Sequence, residues 1–462
     1  MENYEKETIA AIATALSDSG IGIVRISGEN AIYIVDSIFR SASGKKILTK
    51  VQSHMIHYGY IVDKDGNIID EVMTSVMKAP KSYTMEDTVE INCHGGVLVM
   101  QKVLETVLQA GARLAEPGEF TKRAFLNGRI DLSRAEAVID VIHSQNEYAL
   151  SSSVSQLKGR LSDKIRSLRE YILYQIAFIE SALDDPEHIS IDGYGDTLKG
   201  EISLLKEKLN GLLDTVREGK LMKEGIKTVI VGKPNAGKSS LLNLLVGEER
   251  AIVTDIAGTT RDILEETIVL HGISLRMIDT AGIRDTDDVV EKIGVKKAVE
   301  NAKDADLILY VVDSSVPLDE NDKEIIELLK DKKAIVILNK MDLQQQVTEE
   351  DLKEKTNHPV VAVSAKEEEG IEFLEAKIKE MFFEGNLSFN DEIYITNMRH
   401  KAAIEDAKRS LEMVENSIEM QMPEDFFSID LMNAYEVLGS IIGESVGEDL
   451  VNEIFSKFCT GK

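Results

Sequence analysis

Tryptophan is absent from this chain of 462 residues, and aromatic residues make up only 5% of it. Cysteine is almost as scarce, since the chain has only Cys93 and Cys459. Two thiols so far apart exclude a disulfide framework and a zinc cluster of the usual paired-cysteine kind. Leu, Ile, Val and Ala must therefore fill the interior, which favours helices and parallel sheets over sandwiches.

Long apolar runs are missing too, and no segment approaches the ~20 consecutive apolar residues that a membrane-spanning helix needs. The first five residues show neither the basic nor the apolar region of a signal peptide. We therefore expect a soluble, cytoplasmic protein that has no membrane partner.

Positive charge is in short supply, because 53 basic residues face 81 acidic ones and leave a net charge of −28. Such a balance argues against broad, non-specific binding of nucleic acids. Two stretches are locally basic, and we interpret each as a solvated helix face. Their members are Lys122, Arg123, Arg129 and Arg134, then Lys158, Arg160, Lys164, Arg166 and Arg169.

The first 120 residues have the pattern of a mixed α/β domain. Short runs rich in β-branched residues predict strands over 21–26, 55–62, 72–77 and 88–93. Residues 97–110 predict a helix that ends at Gly111.

Apolar residues then recur every three or four positions, as on one face of a helix. One stripe runs from Leu157 to Leu183 and predicts a single long helix that stops before Pro186. Similar stripes cover 198–216, ending near Gly219, and 404–418.

A block of alternating strands and helices, 223–382, separates these helical segments. The simplest account is a helical domain over 121–222 and 383–462, interrupted by an inserted α/β domain. Two separate helical bundles are the alternative. The expected fold is thus multidomain, α/β and α.

A phosphate-binding loop stands at the start of the inserted block. The buried strand 228–232 leads into Gly-Lys-Pro-Asn-Ala-Gly-Lys-Ser over 232–239, and a helical run follows. Strand, loop and helix are the context that a P-loop requires, because backbone N–H groups and the helix dipole cradle phosphates there. Lys238 would reach the β- and γ-phosphates, and the Ser239 hydroxyl would bind Mg²⁺.

Further segments predict the rest of a GTP site. Asp279 and Gly282, in Asp-Thr-Ala-Gly, suit contacts to Mg²⁺ and the γ-phosphate, and Thr260 can add a Mg²⁺ ligand when GTP is bound. Lys238 and Thr260 thereby count among the predicted catalytic residues.

The segment Asn339-Lys-Met-Asp342 predicts that the nucleotide base is guanine. The Asp342 carboxylate can accept hydrogen bonds from the guanine ring N–H and amine, whereas adenine would leave it unpaired, so an ATPase is disfavoured. Ser364-Ala-Lys366 completes the pocket. The full set of predicted nucleotide contacts is Asn235, Ala236, Gly237, Lys238, Ser239, Ser240, Thr254, Thr259, Thr260, Asp279, Gly282, Asn339, Lys340, Asp342, Ser364, Ala365 and Lys366.

The catalytic water has no conventional partner. Ile283 stands where many GTPases place a water-orienting Gln, and it cannot hydrogen-bond. Another polar residue must orient the water, or hydrolysis is slow. The acidic residues that follow are candidates, although most are expected to be solvated loop carboxylates: Asp285, Asp287, Asp288 and Glu291.

Taken together, the chain resembles the MnmE (TrmE) family of tRNA-modifying GTPases over nearly its full length. Beyond the P-loop and the segments 258–262 and 279–282, the resemblance rests on 22–28, 83–87, 94–96, 117–127, 135–137 and the terminal Phe-Cys-Thr-Gly-Lys, 458–462. It implies an N-terminal α+β domain, 1–120, that binds folate and forms dimers. It also implies a helical domain with a Ras-like GTPase domain, 223–382, inserted in it, whose sheet is mostly parallel.

The resemblance also implies K⁺ activation and dimerisation of the GTPase domains without an arginine finger. The K⁺ ligands carried over are Asn235, Thr254, Ile256 and Thr259. Glu291 would position the attacking water, which leaves Asp287 and Asp288 as solvated carboxylates.

Its implied chemistry is the addition of an aminomethyl or carboxymethylaminomethyl group to C5 of the wobble uridine of certain tRNAs. A one-carbon tetrahydrofolate and an FAD-containing partner, joined in a heterotetramer, take part. The folate contacts carried over are Arg25, Glu90, Arg129 and Lys462, where Arg129 replaces the Lys that is common in the family.

Two other functions remain open: a regulatory switch GTPase without tRNA chemistry, and a folate-dependent one-carbon transferase with a regulatory GTPase domain. Folate binding by residues 1–120 would argue against the switch. Cys459 could be a nucleophile, but a packing role is at least as well supported. Cys93 and His94 lie on opposite faces of a strand and are rejected as a metal pair.

Overall fold

The computed structural model describes residues 7–44, 47–248, 266–270, 272–278, 305–383, 393–444, 446–459 and 461. Within these residues the chain forms two compact units. The first comprises Met1–Ile139, Gln156–Phe178 and Leu431–Lys462, and the second comprises Asp140–Ser155 and Ile179–Asp430.

Among the described residues, the first unit has one seven-stranded sheet with the order β3-β4-β5-β6-β2-β1-β7. Neighbouring strands are antiparallel, except for the parallel pair β1 and β7. The strands are β1 (Ile9–Ile12), β2 (Ser19–Ser27), β3 (Phe39–Ser41), β4 (Met55–Val62), β5 (Ile68–Met77), β6 (Thr88–Gly95) and β7 (Arg113–Leu114).

One face of this sheet is covered by α1 (Ala31–Ile38) and α2 (Val97–Gln109). Aliphatic side chains from both helices, such as Val35 and Val103, pack with Val24 and Ile91 of the sheet in a single buried cluster. Alternation of buried and exposed positions along β6 follows the two-residue period of a strand and explains why this segment was predicted from sequence.

Helices dominate the segments that follow. They are α3 (Glu119–Leu126), α4 (Leu132–His143), α5 (Glu147–Leu157), α6 (Arg160–Asp184), α7 (Tyr194–Asp214) and α8 (Val216–Glu224). In the last part of the chain lie α13 (Met398–Glu419), α14 (Asp425–Ile442) and α15 (Glu448–Ser456).

The long helix predicted from Leu157 onward begins three residues later than the prediction. Leu157 ends α5, and α6 starts at Arg160, because Gly159 between them has a φ of +96°. A Cβ at Gly159 would also collide with the Arg134 guanidinium. The predicted end before Pro186 is confirmed, and the middle of the stripe, for example Ile165 and Ile172, is fully buried, whereas Leu183 at its end is exposed.

Helices α7 and α13 pack against each other in the second unit. Lys199 pairs with Glu419 at 2.7 Å and Lys206 with Glu415 at 2.6 Å, so the two helices run antiparallel. The helix that was predicted to end near Gly219 ends at Asp214 instead, and a new helix, α8, begins at Val216.

The chain enters and leaves the inserted block at one place. The Ile395 N–H donates to the Thr215 hydroxyl at 3.1 Å, in the gap between α7 and α8. A Cβ atom at Gly219 would lie only 2.6 Å from the Ile395 carbonyl oxygen, so this close approach requires glycine. Segments 180 residues apart in sequence are therefore side by side in the second unit.

The inserted block has, among the described residues, a six-stranded sheet with the order β13-β12-β11-β8-β10-β9. All pairs are parallel except β9 and β10, which confirms the mostly parallel sheet. Its strands are β8 (Ile226–Gly232), β9 (Glu266–Leu270), β10 (Ile273–Met277), β11 (Leu307–Asp313), β12 (Ala334–Asn339) and β13 (Val360–Ala362).

Helices lie along both faces of this sheet. They are α9 (Lys238–Glu248), α10 (Glu320–Leu329), α11 (Glu349–Lys355) and α12 (Ile371–Phe383). Strands β11 and β12 are buried along their whole length, as expected for a parallel sheet covered on both faces. In the described part of the chain, no helix is long and apolar enough to cross a membrane.

Candidate functional sites

The predicted phosphate-binding loop lies between β8 and α9. Gly232 ends the strand with a φ of 154°, Asn235 has a φ of 61° and Gly237 a φ of 95°. A Cβ at Gly237 would lie 2.1 Å from the Nδ2 atom of Asn339. The second glycine of the loop is therefore required both by the backbone angle and by the side chain packed against it.

The Lys238 ammonium group is already held inside this loop. Its Nζ atom donates to the carbonyl oxygens of Gly232, at 2.9 Å, and Lys233, at 2.7 Å. Burial lowers the pKa of Lys238 from its ordinary value. Phosphate oxygens would offer this buried cation stronger, charge-assisted hydrogen bonds than the two neutral carbonyls do.

The first turn of α9 presents Ser239, half-buried, and Ser240, exposed. A helix N-terminus with free N–H groups stabilises negative charge. A hydroxyl oxygen at Ser239 fits the oxygen ligands that Mg²⁺ prefers. The structure thus brings together the part of the predicted phosphate site that runs from Asn235 to Ser240.

Asn339 joins the phosphate-binding loop to the predicted base pocket. It is fully buried at the end of β12, and its Nδ2 donates to the Ala236 carbonyl at 3.0 Å. Its Oδ1 accepts from the Ala365 N–H at 3.1 Å. The side chain consequently fixes the phosphate-binding loop to the Ser364–Ala365–Lys366 segment.

Asp342 occupies the other side of that pocket. Its Oδ1 accepts from the Ser364 hydroxyl at 3.1 Å, and its Oδ2 is 3.7 Å from the Lys366 ammonium. The carboxylate side chain is only 15% exposed. A half-buried carboxylate in this position can accept two hydrogen bonds from one edge of a purine that carries two donors.

Lys340, between these two residues, has a φ of 64° and extends toward β11. Its Nζ atom is 2.5 Å from the Asp313 carboxylate. Burial would raise the pKa of Asp313, but hydrogen bonds from Lys340 and Ser315 outweigh it and leave that pKa below its ordinary value. Asp313 was not predicted, since nothing in its local sequence signals this pairing.

Eight predicted site residues lie outside the residues that the structure describes. They are Thr254, Ile256, Thr259, Thr260, Asp279, Gly282, Glu291 and Lys462. Their roles remain predictions from sequence.

The predicted folate residues Arg25 and Glu90 are brought together by the register of the first sheet. They are direct partners on β2 and β6, and the Arg25 Nε atom is 2.8 Å from a Glu90 oxygen. Arg25 also donates to the Gly461 carbonyl at 3.2 Å. Gly461 has a φ of 102°, and a Cβ there would lie 2.3 Å from the Ile12 carbonyl.

Arg129 joins this cluster through an aromatic ring. Its guanidinium lies 4.7 Å from the centre of the Tyr83 ring, and the Arg25 guanidinium lies 5.6 Å from the same ring. Arg25 is also 5.7 Å from the Phe120 ring. The Tyr83 hydroxyl is 2.9 Å from that of Thr121, a contact that holds the ring near both cations. The roles of Tyr83 and Phe120 were not assigned from sequence.

An ion-pair network lies next to this cluster. Arg123 contacts Glu86 at 3.1 Å and Glu119 at 2.9 Å, and Arg113 contacts Glu119 at 2.6 Å. Burial would raise the pKa of Glu119, but hydrogen bonds from Arg113 and others outweigh it and lower that pKa.

The interpretation of both basic stretches as solvated faces is therefore wrong at two residues. Arg123 is buried in this network. Arg169 is buried beneath Tyr435, at 4.0 Å from the ring centre, and pairs with Glu444. The Glu444 partner of Arg169 and the Glu86 partner of Arg123 come from distant segments, whereas Glu119 lies four residues before Arg123 on the same helix, a spacing that the sequence analysis did not use.

The two cysteines differ in environment. Cys93 is buried on β6 and its thiol contacts the Gly22 carbonyl at 3.3 Å, while burial raises its pKa to about 11. His94 is exposed on the opposite face and pairs with Asp70 at 2.8 Å. Cys459 is exposed.

Comparison with known proteins adds two family models and a set of close relatives. The model described as MnmE helical domain matches residues 132–459, and the model described as GTP-binding protein TrmE N-terminus matches residues 8–129. The tRNA modification GTPase MnmE of Lachnoclostridium phytofermentans is 62% identical over 456 residues, 99% of each chain. The proteins of that name from Clostridioides difficile and Bacillus subtilis are 52% and 48% identical, over 99% of this chain and 99% and 100% of theirs.

Two solved structures are similar to part of the chain. The G domain of the T. maritima FeoB iron transporter is 28% identical, and the match covers 34% of this chain and 97% of that one at a TM-score of 0.26. Aquifex aeolicus Era is 28% identical, and its match covers 40% and 66% at a TM-score of 0.26. At such TM-scores these two likenesses add nothing to the assignment, which stands on the family models and the full-length relatives.

Proposed function

This chain belongs to the MnmE (TrmE) family, and from that premise we propose that it is a GTPase whose hydrolysis of GTP drives a modification of tRNA. The observation that carries the nucleotide part is the position of Asn339. Its amide joins Ala236 of the phosphate-binding loop to Ala365 of the base pocket. One buried side chain thus holds the phosphate and base subsites at a fixed separation.

Within the site, each described residue has a definite task. The backbone of Asn235, Ala236 and Gly237 wraps the phosphates, and Lys238, held by two carbonyls, donates its remaining N–H to the phosphate oxygens. Asp342 selects guanine through the ring N–H and the amine. Lys340, held by Asp313, packs beside the base.

Catalysis is assigned to residues that the sequence predicts. Glu291 orients the attacking water, a task that Ile283 cannot perform. Ser239 and Thr260 would hold Mg²⁺, with Asp279 behind them, and Gly282 would contact the γ-phosphate. Asn235, Thr254, Ile256 and Thr259 would hold K⁺. These cations supply positive charge where negative charge develops on the phosphates.

The N-terminal cluster is proposed as the folate site. Two guanidinium groups and two aromatic rings, with Glu90 beside them, offer stacking for a planar pteridine and ion pairs for glutamate carboxylates. Arg25, Glu90 and Arg129 are brought together there, and Lys462 is assigned to the same site from sequence. The one-carbon unit of tetrahydrofolate would supply the carbon that tRNA receives.

The division of labour follows the predicted domains. Residues 1–120 bind folate and form a homodimer, 121–222 with 383–462 form the helical domain, and 223–382 form the GTPase. An FAD-containing partner joins them, in a heterotetramer, to place an aminomethyl or carboxymethylaminomethyl group on C5 of the wobble uridine.

A direct test reconstitutes the reaction. The purified chain is incubated with its flavoprotein partner, a one-carbon tetrahydrofolate, GTP and unmodified tRNA, and nucleosides are separated by HPLC. We expect a modified wobble uridine that disappears in the Asp342→Ala and Arg25→Ala variants. GTP hydrolysis without any new nucleoside would favour the regulatory switch, and carbon transfer to a small acceptor without tRNA would favour the one-carbon transferase.

A further inference from the structure

The phosphate-binding loop contains a second lysine whose charge is already neutralised. The Lys233 ammonium lies 3.1 Å from an Asp319 oxygen and 2.7 Å from an Asp322 oxygen. Its side chain is only 14% exposed. Of the two lysines in this phosphate-binding loop, only Lys238 is therefore left to bind phosphate, because Lys233 is paired with two carboxylates outside the loop.

Those carboxylates are themselves firmly placed. Asp319 and Asp322 form a capping box at the start of α10, in which each side chain accepts from the backbone of the other. Asp322 is 1% exposed, and its second oxygen accepts from the Tyr310 hydroxyl at 2.7 Å. Tyr310 is fully buried on β11, which pairs with β8 where Val231 precedes the loop.

Lys233 is linked to the phosphate-binding ammonium through its own backbone. Its carbonyl oxygen accepts from the Lys238 Nζ atom at 2.7 Å. The contacts therefore run from Tyr310 through Asp322 to Lys233, and from the Lys233 peptide to Lys238. The loop peptide that holds Lys238 is anchored from outside the nucleotide site.

We propose that Lys233 is a positioning residue for the β-phosphate: its ion pairs with Asp319 and Asp322 fix the loop peptide that places the Lys238 ammonium. The proposal rests on the function proposed above and deepens it. The Lys238 ammonium has three N–H donors, so it can keep the Gly232 and Lys233 carbonyls and donate the third to a phosphate, while the Lys233 side chain keeps the loop in place. A loop without this anchor must be ordered at the moment of binding.

The expected effect is confined to nucleotides that carry a β-phosphate. Lys238 reaches the β- and γ-phosphates, so GMP, which has only the α-phosphate, does not use it. Ordering one loop residue costs about one factor of ten in affinity. Lys233→Met should therefore lower the affinity for GDP about tenfold and leave the affinity for GMP unchanged.

The test measures GDP and GMP affinities of the full-length chain by competition against a fluorescent GDP. Lys233→Arg keeps the charge and should restore most of the GDP affinity. Lys330→Met is the matched control, because Lys330 forms an exposed pair with Glu327 on the same helix, at 2.6 Å. In the double variant Lys233→Met, Asp322→Asn, we expect no larger a loss than in Lys233→Met alone.

Each outcome decides the matter. Equal losses for GDP and GMP, together with a lower melting temperature, would show that Lys233 acts only on stability and would overturn the proposal. If Lys233→Met does not fold, Asp319→Asn removes only the half-exposed carboxylate and should produce a smaller loss that is again specific to GDP; an unchanged GDP affinity there would also overturn it. Wild-type protein that binds GDP no better than ADP would instead refute the proposed function itself.

Discussion

Recognition of guanine by Asp342 can be measured one hydrogen bond at a time. The carboxylate is mostly buried, with Ser364 on one oxygen and Lys366 3.7 Å from the other. Guanine offers it a ring N–H and an exocyclic amine, whereas hypoxanthine in IDP retains the ring N–H and lacks the amine. Comparing GDP with IDP therefore removes one donor and leaves the protein untouched.

The size of the effect follows from the charge on the acceptor. A hydrogen bond to a charged group contributes about 1.5–3 kcal/mol, so IDP should bind about 10- to 150-fold more weakly than GDP. Asp342→Ala removes both hydrogen bonds, which amounts to about 3–6 kcal/mol, or roughly two to four orders of magnitude. In this variant GDP and IDP should bind equally, because no acceptor for the amine is left.

Titration calorimetry with GDP and IDP on both proteins provides the measurement. Lys353→Met is the control, since Lys353 pairs with Glu349 at 2.9 Å on the surface of α11 and should leave both affinities unchanged. If the wild-type chain binds IDP as tightly as GDP, the carboxylate does not accept from the amine, and the base pocket has been assigned to the wrong residue.

Three further predictions concern other parts of the chain. At pH 8 a thiol reagent should titrate exposed Cys459 quickly and leave Cys93 unreacted, because the Cys93 pKa of about 11 keeps it protonated; two fast equivalents per folded chain would contradict this. Glu119→Gln should lower the free energy of unfolding by about 1.5–3 kcal/mol at pH 7, since it removes the carboxylate shared by Arg113 and Arg123 and leaves Arg123 with Glu86 alone. The folded-state pKa of Glu119 is lowered, so the stability difference between wild type and variant is present above pH 4.5 and shrinks as the pH falls through the folded-state pKa. Denaturation curves that show the same stability difference at pH 7 and at pH 3 would contradict this prediction. Hydrolysis of GTP should be faster in K⁺ than in Na⁺ at equal ionic strength, and equal rates would count against Asn235 as a cation ligand.

The sequence predicted those strands and loops whose structure depends only on residues close together in the chain. The strand over 55–62 coincides with β4, and strand 228–232 lies within β8, because alternating or continuous burial is written directly into those segments. The P-loop is likewise a local structure in which two glycines and a helix start suffice. The break at Gly159 was missed because an apolar stripe continued across it.

Contacts between distant segments could not be predicted in the same way. Arg25 and Glu90 meet only because β2 and β6 pair in one register, and the sequence suggested the pair solely through a family resemblance. Lys233 meets Asp322 because parallel strands β8 and β11 bring a loop and a helix start together. Burial of Arg169 depends in the same manner on Glu444, and burial of Arg123 depends on Glu86 as well as on Glu119 of its own helix.

The adjacency of Thr215, Gly219 and Ile395 places the two segments that flank the predicted domain 223–382 side by side. We expect that a short glycine-serine bridge between Gly219 and residue 394 can replace that domain. The same arrangement should allow the GTPase domain to be replaced by that of a relative, because the packed helices α7 and α13 would remain unchanged.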